Sequence, residues 1–132
     1  MTRTIQIPSE ISNLRLVEKA IDEISGEVKI KKESYGKILV AAMEAVNNAI
    51  VHGNKSDISK NVRVTFILKE SEMEIEVEDK GTGFDPSLIP DPTKPENIEN
   101  ISGRGVFLMS RLADKIEFND KGNIVKMIFK DI

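Results

Sequence analysis

Two neighbouring stretches of alternating sequence constrain the fold more than any other feature of this chain. Val62 to Leu68 and Met73 to Asp79 each place apolar side chains at every second position, and the second stretch alternates them with glutamates. This period of two is typical of a β-strand with one buried face and one wet face. The polar link Glu70 to Glu72 predicts a hairpin turn between the strands. The buried face of such a hairpin needs a second layer, and the sequence predicts that helices supply it.

Two segments before the hairpin predict those helices. In the first, Ser9 is a plausible N-cap, apolar residues recur at helical spacing to about Ile24, and Gly26 follows as a stop. The second is predicted from about Ser34 to Val51, with an alanine-rich buried side. The sequence His52 to Asn54 then indicates a helix C-terminus.

The remaining pattern completes an α+β chain. Thr4 to Ile7 predicts a short strand, and Val106 to Ala113 predicts a short helix that opens at Gly103-Arg104-Gly105. Lys115 to Phe118 and Ile124 to Phe129 predict two closing strands. The element order β-α-α-β-β-loop-α-β-β predicts a two-layer α/β sandwich, with a mixed, mainly antiparallel sheet and helices on one face.

Composition narrows the function classes open to this chain. Its 132 residues predict a single domain over residues 1–132, and 39% hydrophobic residues are enough for one core. The chain has no cysteine and a single histidine, His52, which excludes disulfides, thiolate metal sites and multi-histidine metal sites. A net charge of −3 and the absence of tryptophan disfavour nucleic acid as a partner. Because no apolar run resembles a membrane span or a signal core, we expect a cytoplasmic protein.

One long segment follows neither structural period. Residues Asp85 to Ser102 hold four of the five prolines of the chain. A compact domain rarely keeps so long an irregular loop unless it acts as a lid or a binding loop. We therefore predict a lid over a binding site.

Glu44 and Asn48 form the first of three clusters that could carry chemistry. They are four residues apart on the second predicted helix, so they project from the same face, with Asn47 beside them. A carboxylate there could act as a base, and an amide oxygen could bind a hard cation such as Mg²⁺. A solvated helix edge would explain the same residues equally well.

The other two clusters are rich in glycine. Asp79 follows a predicted strand, where Gly81 and Gly83 allow a sharp bend. The aspartate could accept a hydrogen bond from an amine such as adenine N6. Gly103-Arg104-Gly105 opens the last predicted helix, where free amides and the arginine suit phosphate oxygens. A plain turn or helix entry would explain each cluster alone, but their order, with the predicted lid between them, favours a ligand site.

Taken in order, the three clusters resemble the motifs of the Bergerat-fold ATPases. Glu44 to Asn54, EAVNNAIVHGN, resembles the N-box of that superfamily. Asp79 to Phe84 resembles its first glycine box, and Gly103 to Met109, GRGVFLM, resembles the second. Within the superfamily these motifs are most similar to the anti-sigma-factor serine kinases, which are small bacterial proteins of partner-switching systems. The resemblance covers essentially the whole chain and implies the Bergerat ATP-binding fold.

The resemblance implies a role for each cluster in binding ATP and Mg²⁺. Asn48 would bind the metal ion, Glu44 would take the proton of the attacking hydroxyl, and Asp79 would accept a hydrogen bond from the adenine amine. Arg104 would reach the terminal phosphate, and residues 85–102 would form the ATP lid. Further contacts with ATP would come from members of the two glycine boxes: Gly81, Gly83, Phe84, Gly103, Gly105 and Val106.

By the same resemblance, the chain is expected to be an ATP-dependent serine/threonine protein kinase and an anti-sigma factor. Its substrate would be a serine of a STAS-type anti-anti-sigma protein, and its other partner would be a sigma factor sequestered by a homodimer. Two alternatives stay open: an ATP-binding module that sequesters with little catalysis, and a stand-alone histidine-kinase catalytic domain. His52 is better explained by a bond with nearby backbone than as a phosphohistidine. Ile124 stands where family members often carry a threonine that helps to hold adenine, which predicts weaker or water-mediated binding of the base.

Overall fold

The computed structural model describes the backbone of residues 1–81 and 101–132, and the side chains of residues 1–81 and 106–132. The described residues include five strands: β1 (Thr2–Pro8), β2 (Asn61–Lys69), β3 (Glu72–Glu78), β4 (Lys115–Phe118) and β5 (Ile124–Phe129). They form one sheet in the order β1-β2-β3-β5-β4.

The pairing of these strands confirms the predicted hairpins. β2 pairs with β3, and β4 pairs with β5, each in an antiparallel register. β1 lies antiparallel to β2, and β3 lies antiparallel to β5. The sheet was expected to be mixed and mainly antiparallel, and within the described residues it is antiparallel throughout. Because β3 and β5 are neighbours, the end of β3 lies beside the start of β5.

Helices form the second layer, as the α+β prediction requires. They are α1 (Leu14–Glu27), α2 (Lys32–Asn48) and α3 (Ile101–Leu112). α2 packs against α1 and α3, and it contacts β3 and β5 of the sheet. None of the helices in the described ranges combines the length and the hydropathy that crossing a bilayer requires.

The core lies between this helical layer and one face of the sheet. The apolar members of both alternating stretches are buried on that face, and so are the apolar sides of α1 and α2. Fully burying one large aliphatic or aromatic side chain contributes about 1.5–3 kcal/mol. Such side chains include Ile21, Ile24, Ile38, Ile50, Phe66, Ile75 and Met127. Their packing fixes the position of α2 over the sheet, and with it the place where the ends of α2 and β3 meet.

The start of α1 differs from the prediction. Ser9 does not cap the helix, which begins at Leu14 after a short 3-10 turn. The Ser9 hydroxyl is instead buried, donating to the carbonyl of Lys60 over 2.5 Å and accepting from the Asn54 side chain over 2.8 Å. At the other end, α1 passes through Gly26, where the sequence predicts a stop, and ends one residue later.

The start of α3 also differs from the prediction. The helix begins at Ile101 rather than Val106, so Gly103-Arg104-Gly105 lies within its first two turns instead of before them. A glycine in a helix costs about 1 kcal/mol relative to alanine. The packing of α3 on α2 can offset that cost.

Candidate functional site

The end of α2 carries the first candidate cluster, and it is not the regular helix that the sequence predicts. The α-helix ends at Asn48 and continues as one π turn, Ala49–Gly53. The turn closes where the N–H of Asn54 donates to the carbonyl of Ala49 over 2.8 Å. Such turns are wider than an α turn and are frequent at functional sites. Here the π turn brings Gly53 against the residue that follows β3.

Glu44 and Asn48 lie one turn apart on the same side of α2, as their spacing predicts. Both side chains are half-buried, and so is that of Asn47. Among residues 1–81 and 106–132, none of the three side chains has a hydrogen-bond partner. Their polar atoms are therefore available to a ligand or to water.

Asp79 directly follows β3 and is buried, with 9% of its surface exposed. Its Oδ1 accepts a hydrogen bond of 2.8 Å from the N–H of Gly81. Burial raises the pKa of the Asp79 carboxyl above its usual value, whereas the bond from Gly81 and the charge of Lys121 partly oppose the rise. A carboxylate has two oxygens that accept hydrogen bonds, so Asp79 keeps acceptor capacity for a ligand with an N–H donor.

Two glycines bring the end of α2 into contact with the end of β3. A Cβ added at Gly53 would overlap the Asp79 carboxylate and lie 2.8 Å from its Oδ1. A Cβ added at Gly81 would overlap the carbonyl of Gly53. Only residues without a side chain allow this close approach of the backbone. The π turn that follows the first cluster therefore lies against the second cluster, although the two are far apart in the sequence.

Asn54 holds this junction together, although its sequence context predicts only part of a helix stop. It is 1% exposed. Its Nδ2 donates to Ser9 Oγ over 2.8 Å and to the carbonyl of Asn61 over 3.2 Å, and its Oδ1 accepts from the N–H of Lys80 over 2.6 Å. These bonds tie the end of α2 to the ends of β1 and β3 and to the start of β2. No local pattern marks the residue, because its partners come from distant segments.

The turn between β4 and β5 holds the other side of Asp79. The N–H of Asp79 donates to the carbonyl of Asn123 over 3.0 Å, and Nδ2 of Asn123 donates back to the carbonyl of Asp79 over 3.2 Å. Asn123 is thus the residue opposite Asp79. The register pairs Ile124 with Glu78, so by strand alternation its side chain lies on the other face of the sheet. The Ile124 side chain therefore does not face the Asp79 carboxylate.

The third cluster is described in part. Gly103, Arg104 and Gly105 lie on the backbone of α3, which packs against α2, and Val106 is half-buried against the core. The predictions for Gly83, Phe84 and residues 85–100 lie outside the described residues. The last two residues of the predicted lid belong to α3.

Comparison with known proteins gives consistent matches over most of the chain. A family model described as a histidine kinase-like ATPase domain matches residues 7–129. An anti-sigma F factor of Clostridium perfringens is 35% identical, over 74% of this chain and 72% of that protein. A protein named serine-protein kinase RsbW from Oceanobacillus iheyensis is 25% identical, over 97% of this chain and 85% of that protein.

Two solved structures share the fold. The crystal structure of the RsbU and RsbW domains of a Mycobacterium tuberculosis protein superimposes with a TM-score of 0.71 at 16% identity, over 98% of this chain. This chain spans 32% of that longer chain. The histidine kinase domain of a blue-light activated kinase from Erythrobacter litoralis gives a TM-score of 0.60 at 21% identity, over 95% of this chain and 62% of that one. At these identities the likeness concerns the fold alone.

Proposed function

Because this chain belongs to the histidine kinase-like ATPase family, and within it to the anti-sigma-factor serine kinases, we propose that it transfers the terminal phosphate of ATP to a serine of a protein substrate. The observation that carries the proposal is the contact between Gly53 and Asp79, which joins the ends of α2 and β3 in one site. Phosphoryl transfer from ATP needs a place for the adenine ring, a place for the triphosphate and its metal ion, and an oriented nucleophile. Residues of this site are candidates for each task.

Asp79 and Gly81 are proposed to hold the adenine ring. The buried carboxylate would accept a hydrogen bond from the exocyclic amine, and such bonds to ionised acceptors are about twice as strong as neutral ones. The missing side chain at Gly81 lets the chain after β3 lie against the carbonyl of Gly53, beside the carboxylate that would face the adenine. Gly83 and Phe84 are proposed to complete the pocket because they belong to the same glycine box.

Asn48 is proposed to bind Mg²⁺ that arrives with ATP. Mg²⁺ usually takes one or two oxygen ligands from the protein and the rest from substrate phosphates and water. A half-buried asparagine fits this pattern, and the described residues hold no group of three or more acidic or histidine side chains that could bind a metal alone. When bound, the ion would neutralise charge on the phosphates. Gly103, Arg104, Gly105 and Val106, in the first turns of α3, are proposed to contact the phosphates.

Glu44 is proposed as the general base. The serine Oγ would attack the terminal phosphorus, the bond from that phosphorus to the bridging oxygen of ADP would break, and the serine proton would pass to the Glu44 carboxylate. The products are phosphoserine and ADP. Glu44 precedes Asn48 by one turn on the same side of α2, so the base and the metal ligand face the same space.

The proposed partners rest on the motif resemblance and on the names of the relatives. One relative is named as an anti-sigma F factor and another as a serine-protein kinase. For this chain we propose a sigma factor, held by a homodimer, and a STAS-type anti-anti-sigma protein that carries the substrate serine. Phosphorylation of the antagonist would leave the kinase free to hold the sigma factor. Such partners imply a cytoplasmic location, without direct contact with nucleic acid or a membrane.

The alternatives differ in what they require of two residues. A sequestering module with little catalysis does not need Glu44, whose half-buried carboxylate has no hydrogen-bond partner among the described residues and is therefore free to act as a base. A stand-alone histidine-kinase catalytic domain would phosphorylate a histidine elsewhere, whereas self-phosphorylation on histidine would have to use His52. Its ring is exposed in the π turn and makes no hydrogen bond within the described part of the chain, so the predicted bond with nearby backbone is not formed. Phosphoserine survives acid treatment and phosphohistidine does not, which separates the two kinds of product.

Intact-mass spectrometry tests the proposal. A STAS-domain protein from the same genome is incubated with this chain, Mg²⁺ and ATP, with the Glu44→Ala variant as the control. We expect a gain of one acid-stable phosphate that requires Glu44. No gain while ATP binding is intact would contradict this STAS-domain protein as the substrate and favour either the sequestering module or a different partner. No gain together with no ATP binding would refute the nucleotide site.

A further inference from the structure

Asn54 uses every hydrogen-bonding group of its side chain inside the protein. Both N–H groups of its amide donate, one to Ser9 and one to Asn61, and its oxygen accepts from Lys80. A buried amide that is fully bonded is costly to replace, because each partner then loses its hydrogen bond in a place that water reaches poorly. This pattern alone is compatible with a purely structural role.

The position of Asn54 adds a second role. Its backbone N–H closes the π turn that follows Asn48, the proposed metal ligand. Its side-chain oxygen holds the N–H of Lys80, which lies between Asp79 and Gly81, the proposed adenine contacts. Within the described residues, Asn54 therefore connects the metal end of the site, through its backbone, with the adenine end, through its side chain.

Two of its three side-chain bonds do not involve the adenine end. The bonds to Ser9 and Asn61 fix Asn54 to the ends of β1 and β2, which belong to the rigid sheet. The bond from Lys80 to the fixed Asn54 oxygen then holds the backbone that follows β3 in place. In that segment Asp79 accepts a hydrogen bond from Gly81. The three bonds therefore have separate roles. Those to Ser9 and Asn61 hold the Asn54 amide, and the one from Lys80 positions the residues that would face adenine.

We propose that Asn54 is a positioning residue for nucleotide selection, which holds the Lys80 N–H so that the Asp79 carboxylate faces the amine of adenine. The inference rests on the proposed function, since it assumes that the base binds at Asp79. Asn54 itself would not touch ATP. Its loss should therefore change discrimination between bases, in addition to lowering stability.

The experiment compares ATP with inosine triphosphate, in which a carbonyl oxygen replaces the adenine amine. Dissociation constants for both nucleotides are measured by calorimetry at fixed Mg²⁺, below the unfolding temperature of every variant, and urea unfolding is measured in parallel. The variants are Asn54→Ala, Ser9→Ala and Asp79→Ala. Ser9→Ala is the matched control, because it removes a bond from the same buried network and leaves the bond between Asn54 and Lys80 in place.

We expect Asn54→Ala to lower stability and to reduce the preference for ATP over inosine triphosphate about tenfold, the effect of losing one hydrogen bond. Ser9→Ala should lower stability and keep the preference of the parent. If Asn54→Ala keeps the parental preference, or if Ser9→Ala loses as much of it, the positioning role is refuted. If Asp79→Ala keeps the parental affinity and preference, the proposed base site itself is wrong, which separates the two failures.

Hydrogen exchange on the parent chain covers the case in which Asn54→Ala does not fold. In the ligand-free protein the N–H of Lys80, which donates to Asn54, should already be protected from exchange, and the N–H of Gly81, which donates to Asp79, should exchange more slowly once ATP is bound. A Lys80 N–H that exchanges in the ligand-free protein as fast as an unbonded amide would overturn the inference.

Discussion

Replacing Gly53 with alanine tests the contact on which the site depends. The added Cβ would lie 2.8 Å from Asp79 Oδ1 and closer to the rest of the carboxylate, whereas real Cβ atoms essentially never come within 3.0 Å of another heavy atom. The carboxylate is bonded to Gly81, so either that bond or the π turn must shift. Overpacking of this kind costs about 1–3 kcal/mol. We expect Gly53→Ala to lower the free energy of unfolding by that amount, measured by urea denaturation.

The same displacement would move Asp79 away from the position proposed for the adenine amine. A hydrogen bond to a charged group contributes about 1.5–3 kcal/mol. Its loss corresponds to a roughly ten- to hundredfold weaker affinity for ATP. Titration calorimetry on the folded variant measures this change separately from stability.

Gly36→Ala is the matched control, because Gly36 lies in α2, which leads into the π turn of Gly53, and an added Cβ would meet no atom within 4 Å. Alanine is favoured over glycine in a helix by about 0.5–1 kcal/mol, so this variant should be slightly more stable and should bind ATP like the parent. Parental stability in Gly53→Ala would refute the packing argument. Lower stability with parental ATP affinity would refute the link between this contact and the nucleotide.

Three further changes test single residues of the site. Burial raises the pKa of Asp79, so the folded protein binds the proton of this carboxyl more tightly than the unfolded chain does. The resulting gain in the free energy of unfolding is full below the ordinary aspartate pKa of about 3.9 and is lost as the pH rises through the raised value. Urea unfolding over that range should show the parent losing stability relative to Asp79→Asn, and parallel curves would contradict the shift. Asn48→Ala should weaken binding of ATP with Mg²⁺ but not of metal-free ATP, and calorimetry that finds equal losses would exclude the metal role. Glu44→Ala should keep ATP affinity and slow phosphoserine formation by about 10²–10⁴-fold, so an unchanged rate by mass spectrometry would exclude Glu44 as the base.

The strands and helices were largely predictable because each rests on a local period. β4 and β5 have the predicted bounds, and β2 and β3 differ from prediction by about one residue at their ends. Alternation identifies a half-buried strand from its own residues, without knowledge of its partner. The helix ends were less predictable. Ser9 has the chemistry of an N-cap, but its hydroxyl bonds to Lys60 across the fold instead.

The junction of the site could not be predicted, because it depends on contacts between distant segments. The side chain of Asn54 bonds to Ser9 and Lys80, which are 45 and 26 residues away in the sequence. No short stretch of the sequence contains both partners of either bond. Gly53 belongs to the motif that resembles the N-box, yet its missing side chain matters through Asp79, which only the folded chain brings near it. The motifs thus predicted which residues belong to the site, and the structure shows the contact between the π turn after α2 and the chain after β3.

The burial of Asp79 connects the stability of the ligand-free protein with the choice of its ligand. Asp79 is 9% exposed, so its carboxylate loses most of its hydration on folding. Among the described residues, one hydrogen bond from Gly81 and the charge of Lys121 compensate part of that loss. The ionised form is therefore disfavoured, which is why the pKa of Asp79 rises. A base that presents an N–H donor would compensate part of this loss, whereas a carbonyl in the same place would set two acceptors against each other. The burial that destabilises the ligand-free site would thus select adenine over a 6-oxopurine, and that selectivity should weaken at low pH, where a protonated Asp79 can itself donate a hydrogen bond.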